Sequence, residues 1–113
     1  MKKILAAVLG MAFMATAAAG DLAGNYTWEG FTIAVTKGGD NGYSAKVTAG
    51  PKNVGMEMIQ TPMKEEGGAM MAKIKHPMTG DVYNAKMTPD GNDFKMDGCT
   101  DAGACASGKF VRQ

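Results

Sequence analysis

The chain is poor in the residues that most catalytic chemistry needs. Its 113 residues include one histidine, His76, and one tryptophan, Trp28. A Ser-His-acid triad would have to use His76, and neither Ser44 nor Ser107 sits in the Gly-x-Ser-x-Gly elbow that presents a nucleophile. The two cysteines, Cys99 and Cys105, lack Cys-x-x-Cys spacing, and one histidine beside them makes a poor zinc set. No phosphate loop or dinucleotide fingerprint occurs. Glu65 and Glu66 are adjacent acids running into Gly67-Gly68. Paired carboxylates that do acid–base work flank a substrate, whereas neighbours in a glycine turn face solvent. The expectation is a protein with no catalytic residues and no cofactor.

A charge excess is missing too. Twelve Lys and Arg against eleven Asp and Glu give a formal net charge of +1. With no basic patch, nucleic acid and anionic membrane surfaces are poor partners. The longest apolar run, Ile4 to Ala15, is shorter than the roughly 20 residues a membrane-spanning helix requires. Lys2-Lys3 precede it and Ala17-Ala18-Ala19 follow it, which is the basic, apolar and small-residue order of a cleavable secretory signal. Residues 1–19 are therefore expected to be a signal peptide and residues 20–113 a single β-barrel domain. The mature chain is expected to lack a transmembrane segment and to be periplasmic or secreted. Losing Lys2 and Lys3 takes its net charge to about minus one. In an oxidising compartment the even cysteine count reads as a Cys99–Cys105 disulfide. Closing so short a loop is worth about 2 kcal/mol in the loop-entropy picture, which matters for a domain this small.

Glycine is abundant, with 16 residues, and it punctuates the chain at short intervals. The stops are Lys37–Gly42, Gly50–Asn53, Lys64–Gly68, Pro77–Asp81 and Thr88–Asn92. Between them apolar and polar residues alternate: Phe31, Ile33 and Val35 against Thr32, Ala34 and Thr36; Tyr43, Ala45 and Val47 against Ser44, Lys46 and Thr48. Met70, Ala72 and Ile74, then Tyr83, Ala85 and Met87, then Phe94 and Met96 repeat the pattern. Period two with one apolar face marks half-buried strands, and no segment after the signal carries a helical period. About eight strands joined by tight turns predict an all-β fold, a small antiparallel up-and-down barrel closed by one disulfide. A flattened two-sheet sandwich is the alternative.

Methionine is over-represented. Six of the methionines lie between Met56 and Met78, and His76 sits among them. Thioethers are soft ligands that suit Cu(I), which makes Met56, Met58, His76 and Met78 the set for a copper-binding alternative. Methionine is also a flexible core filler, and Met56, Met58, Met70, Met87 and Met96 fall where strands point inward. The spacing follows strand alternation, so the reading favours core or cavity lining. His76, ahead of Pro77, reads as a solvated turn residue. Tyr26 and Trp28 share a face of the first strand, where they plug one end of the barrel or line its mouth. Many inward positions are Ala or Gly, which leaves room for a pocket. The leading expectation is non-enzymatic binding of a small, largely apolar ligand by Tyr26, Trp28, Phe31, Met56, Met58, Met70 and Tyr83. Besides copper binding, the remaining alternative is a protein-interaction module with a filled core.

Several stretches resemble a bacterial exported family, the "domain of unknown function" family numbered twenty-one forty-seven. Lys73-Ile74-Lys75-His76-Pro77-Met78-Thr79-Gly80-Asp81-Val82-Tyr83 is similar to its apolar strand followed by Pro-x-Thr-Gly-x-x-Tyr. Met87 to Phe94 resembles its next strand-turn-strand. Gly98-Cys99, Cys105 and Arg112 resemble its Gly-Cys, second Cys and closing Arg, and Gly24-x-Tyr26 its opening. Phe110 stands where that family tends to have Trp, and His76 where it often has Asp. The resemblance implies an exported, lipocalin-like barrel without established enzymatic activity. Gly80 is expected to supply the left-handed turn before Val82, and Gly98 to let a strand end bend toward the disulfide.

Overall fold

A computed structural model describes residues 22–113. The expected signal segment lies outside the described residues. Eight strands follow in order: β1 Gly24–Trp28, β2 Phe31–Lys37, β3 Tyr43–Ala49, β4 Lys64–Glu66, β5 Ala69–Lys75, β6 Val82–Asp90, β7 Asp93–Thr100 and β8 Cys105–Arg112. They form one antiparallel sheet in the order β3-β2-β1-β8-β7-β6-β5-β4. Among the described residues no helix is long and apolar enough to cross a membrane.

The sheet curls so that its two ends approach, and an irregular stretch, residues 55–60, fills the seam between them. On one side it bonds to β3: Val47 N–H donates to Met56 O at 3.0 Å and Met58 N–H to Ala45 O at 2.7 Å. On the other it bonds to β5: Gln60 N–H donates to Lys73 O at 2.9 Å and Lys75 N–H to Met58 O at 2.8 Å. One side chain pins the seam. Glu57 Oε2 accepts the Ala45 N–H at 2.7 Å and the Ile59 N–H at 3.1 Å, while Oε1 accepts the Ser44 hydroxyl. Backbone groups that a regular ladder would have paired are thereby satisfied. The barrel closes elsewhere by joining its first and last strands, with Tyr26 opposite Arg112 and Thr27 opposite Val111. Arg112 reinforces that join. Its guanidinium donates to Ala23 O and Asn92 O, both at 2.8 Å, and lies 4.8 Å from the Tyr26 ring centroid.

Alternation puts one face of every long strand inside. Tyr26, Phe31, Ile33, Val47, Met58 and Phe110 are almost wholly buried, and Met70, Met87 and Met96 join them. Phe110 sits at the middle of an aromatic group, stacked on Trp28 with centroids 5.3 Å apart and edge-on to Tyr26 at 6.0 Å. The buried Tyr26 hydroxyl donates to Leu22 O at 2.7 Å, so its polar tip is satisfied. What remains open in the interior is about 10 Å³ among Leu22, Met58, Met87, Met96 and Phe110, no more than about one water molecule needs. The barrel is filled.

Cys99 and Cys105 face each other across the β7–β8 ladder and are joined by a disulfide. Both are exposed, and the hairpin they staple projects at one end of the barrel. Lys64–Glu66, placed within a turn by its glycines, is a short edge strand paired with Ala69–Met71. Its three side chains are all exposed, so it has no apolar alternation to announce it.

Candidate functional site

The site lies at the end of the barrel where the stapled hairpin projects. Inward positions there are small. In the ladder Gly98 pairs with Ala106 and Met96 with Gly108, and all four share the inward face with Phe94 and Phe110. Gly108 is where two elements come closest. A Cβ built on it would lie 2.5 Å from Trp28 Nε1, so the glycine is what lets the indole lie against β8. Gly98 sits in the β7–β8 ladder opposite Ala106 without a left-handed φ. A Cβ there would sit 3.2 Å from Tyr83 Cβ and 3.1 Å from Asn84 O, so the glycine makes room for β6 and its tyrosine.

Trp28, His76, Tyr83 and Met96 line the resulting cavity, with Glu29 at its rim and Gly98, Ala106 and Ser107 as its far wall. Its volume is about 110 Å³. For scale, an enclosed apolar cavity of about 150 Å³ admits benzene. Three aromatic rings follow one another around the wall, Trp28 to His76 at 4.9 Å and His76 to Tyr83 at 6.2 Å between centroids.

His76 is not the solvated turn residue its place before Pro77 suggested. Its side chain is only 15% exposed. The β5–β6 loop folds it back: His76 N–H donates to Asp81 O, Gly80 N–H donates to His76 O, and Gly80 takes the expected left-handed φ of 81°. Nδ1 accepts the Met78 N–H at 3.0 Å, which leaves Nε2 to carry the ring proton, 3.9 Å from Glu29 Oε1. Glu29 holds its place by an unusual backbone. With Gly30 it makes the two-residue turn between β1 and β2, and both residues have positive φ, 50° and 84°. Such a turn suits Asn-Gly or Gly-Gly, and a glutamate there is strained. Trp28 carries a second anomaly: among the described residues its buried Nε1–H has no hydrogen-bond partner, an arrangement that costs about 1–3 kcal/mol.

Of the seven residues expected to line a binding site, the structure brings Trp28 and Tyr83 to this cavity. Tyr26, Phe31 and Met58 fill the interior, Met70 is buried at 5% exposure, and Met56 packs partly buried against the core. The copper set is dispersed in burial. Met58 is fully inside, Met78 is 40% exposed on the loop, and His76 faces the cavity. Among the described residues no group of three or more His, Cys, Asp or Glu is placed to hold a metal ion. Met96 is one of the methionines read from sequence as core or cavity lining; Glu29, Gly98 and Ala106 are lining residues that the sequence reading does not single out. The signal for Glu29 was a two-residue Glu-Gly step between alternating runs, and for the wall the small residues at successive inward positions.

Fold and site together define a small, filled, disulfide-stapled antiparallel barrel with an aromatic cavity at one end. Compared with family models, with curated proteins and with solved structures, the chain matches none.

Proposed function

We propose that this is an exported, non-enzymatic binding protein that takes a small, largely apolar ligand in the end cavity, against Trp28, His76, Tyr83 and Met96. One observation carries the reading: the interior is packed shut, yet small residues on β7 and β8 keep an aromatic-lined cavity of about 110 Å³ open at one end. A concave, mostly apolar site with a few polar groups at its edge is the usual form of a small-molecule site. Export is supported by the basic-apolar-small start of the chain and by the exposed disulfide.

Trp28, the sole tryptophan, reports on the site by its own fluorescence. Titrating a panel of small ring compounds should give saturable changes for some members. Ala106→Leu, which fills the cavity from an exposed position, should remove them while leaving the urea midpoint in place. A panel that leaves Trp28 unchanged, with small organic cations failing as well, or one that shifts it equally in Ala106→Leu, refutes the site and favours a filled protein-interaction module. A soft-metal role is the second reading, favoured by His76 and Met96 lining one cavity. Silver(I), used in place of Cu(I), would then change Trp28 emission in the parent and not in His76→Ala.

A further inference from the structure

We infer that the ligand of this cavity carries a positive charge and is a small methylated ammonium cation, an inference that rests on the end cavity being the binding site. Charge is the first ground. Among the described residues Glu29 is the only carboxylate on the cavity lining, and no lysine or arginine lines it. Among the described residues the only side chain within ion-pair distance of its carboxylate is His76, 3.9 Å away at Nε2, with Nδ1 engaged as an acceptor from the Met78 N–H. Among the described residues the carboxylate therefore borders the cavity with no lysine or arginine paired to it.

Ring chemistry is the second ground. Trp28, His76 and Tyr83 supply a wall of π-density, which attracts a cation and repels an anion. Phe110 stacks on Trp28 at an interplanar angle of 24°, so one face of the indole belongs to the core, while Trp28 also contributes to the cavity lining beside His76. A bare ammonium would need acceptors for each N–H, and the aromatic and thioether lining provides few; methyl groups suit those surfaces.

The third ground is the strained turn. Glycine or asparagine at position 29 would adopt the φ of 50° at less cost. A glutamate held there brings to the cavity lining a carboxylate that neither of those residues supplies.

Two probes of the same shape test this: choline, and its neutral analogue in which carbon replaces the nitrogen. Choline should shift Trp28 fluorescence saturably, and the analogue should bind about tenfold more weakly or worse. Glu29→Gln should weaken choline about tenfold and leave the analogue unchanged. Equal binding of the two probes overturns the charge inference and leaves the cavity reading standing. So does a response to uncharged rings or to silver(I) with none to choline. If no probe of either charge alters Trp28, and Ala106→Leu makes no difference, both fall together.

Discussion

Replacing Glu57 with alanine should open the barrel seam. Three donors converge on this carboxylate, and two of them, the Ala45 and Ile59 N–H groups, belong to buried residues and share one oxygen, Oε2. In Glu57→Ala the Ser44 hydroxyl can turn to water, but the two amides lose their acceptor in a partly buried place. At about 1–3 kcal/mol for each stranded donor, discounted for partial access to water, the loss should be about 2–4 kcal/mol. That is a large share of a small domain's stability, which runs to about 5–15 kcal/mol. Glutamine discriminates between charge and geometry. Its single carbonyl oxygen can replace Oε2 for both amides, and its NH₂ can donate to the Ser44 oxygen, so Glu57→Gln should lose about 1 kcal/mol. Urea unfolding gives both values, and amide exchange should quicken first at Ala45 and Ile59. A Glu57→Ala protein within about 0.5 kcal/mol of the parent would show that the seam is held by its backbone bonds and apolar packing alone.

Gly108→Ala drives a methyl group against Trp28 Nε1, which should cost about 1–3 kcal/mol in urea unfolding and shift Trp28 emission as the indole moves toward the cavity; an unchanged spectrum would contradict the close approach. Reducing Cys99–Cys105 should cost about 2 kcal/mol and quicken exchange at Gly98 and Ala106, while Ile33 stays protected; uniform loss of protection would mean that the staple holds the whole barrel. Asp101 is fully exposed, yet the Asn84 amide at 2.8 Å, and then Lys73, hold its carboxyl below its ordinary value of 3.8. A pKa lowered on folding stabilises above the ordinary value and ceases to as pH falls through the folded one, so a carbon-detected NMR titration should place Asp101 below 3.8 and Asn84→Ala should move it back up.

Alternation made β2, β3, β5, β6 and β7 legible, because each buries one face of a long strand. It could not reveal the seam or β4. Residues 55–60 bond irregularly to two neighbours over too short a length for a period, and Lys64–Glu66 buries nothing. The binding residues were half legible for a related reason. Alternation says which face a side chain is on and nothing of its level along the barrel axis, which depends on strand stagger. Tyr26 and Trp28 therefore looked equivalent, though one fills the interior and the other walls the end cavity. His76 escaped because its place follows from a loop that carries it to Trp28, a strand far away in sequence.

The pairing of the first strand with the last has a consequence for how this chain can be made. Most neighbours in the sheet are neighbours in sequence and can zip locally as hairpins. The β1–β8 join cannot, since Arg112 reaches the Ala23 carbonyl across 89 residues. Such distant contacts are slow to form, because the chain must surrender its freedom before they reward it. Synthesis runs from the other end. Until β8 emerges, β1 has β2 alone of its two described sheet neighbours, and the aromatic face of Tyr26 and Trp28 waits for Phe110 to cover it. The sheet is a ring drawn shut by β8, and its most exposed moment comes just before that strand docks.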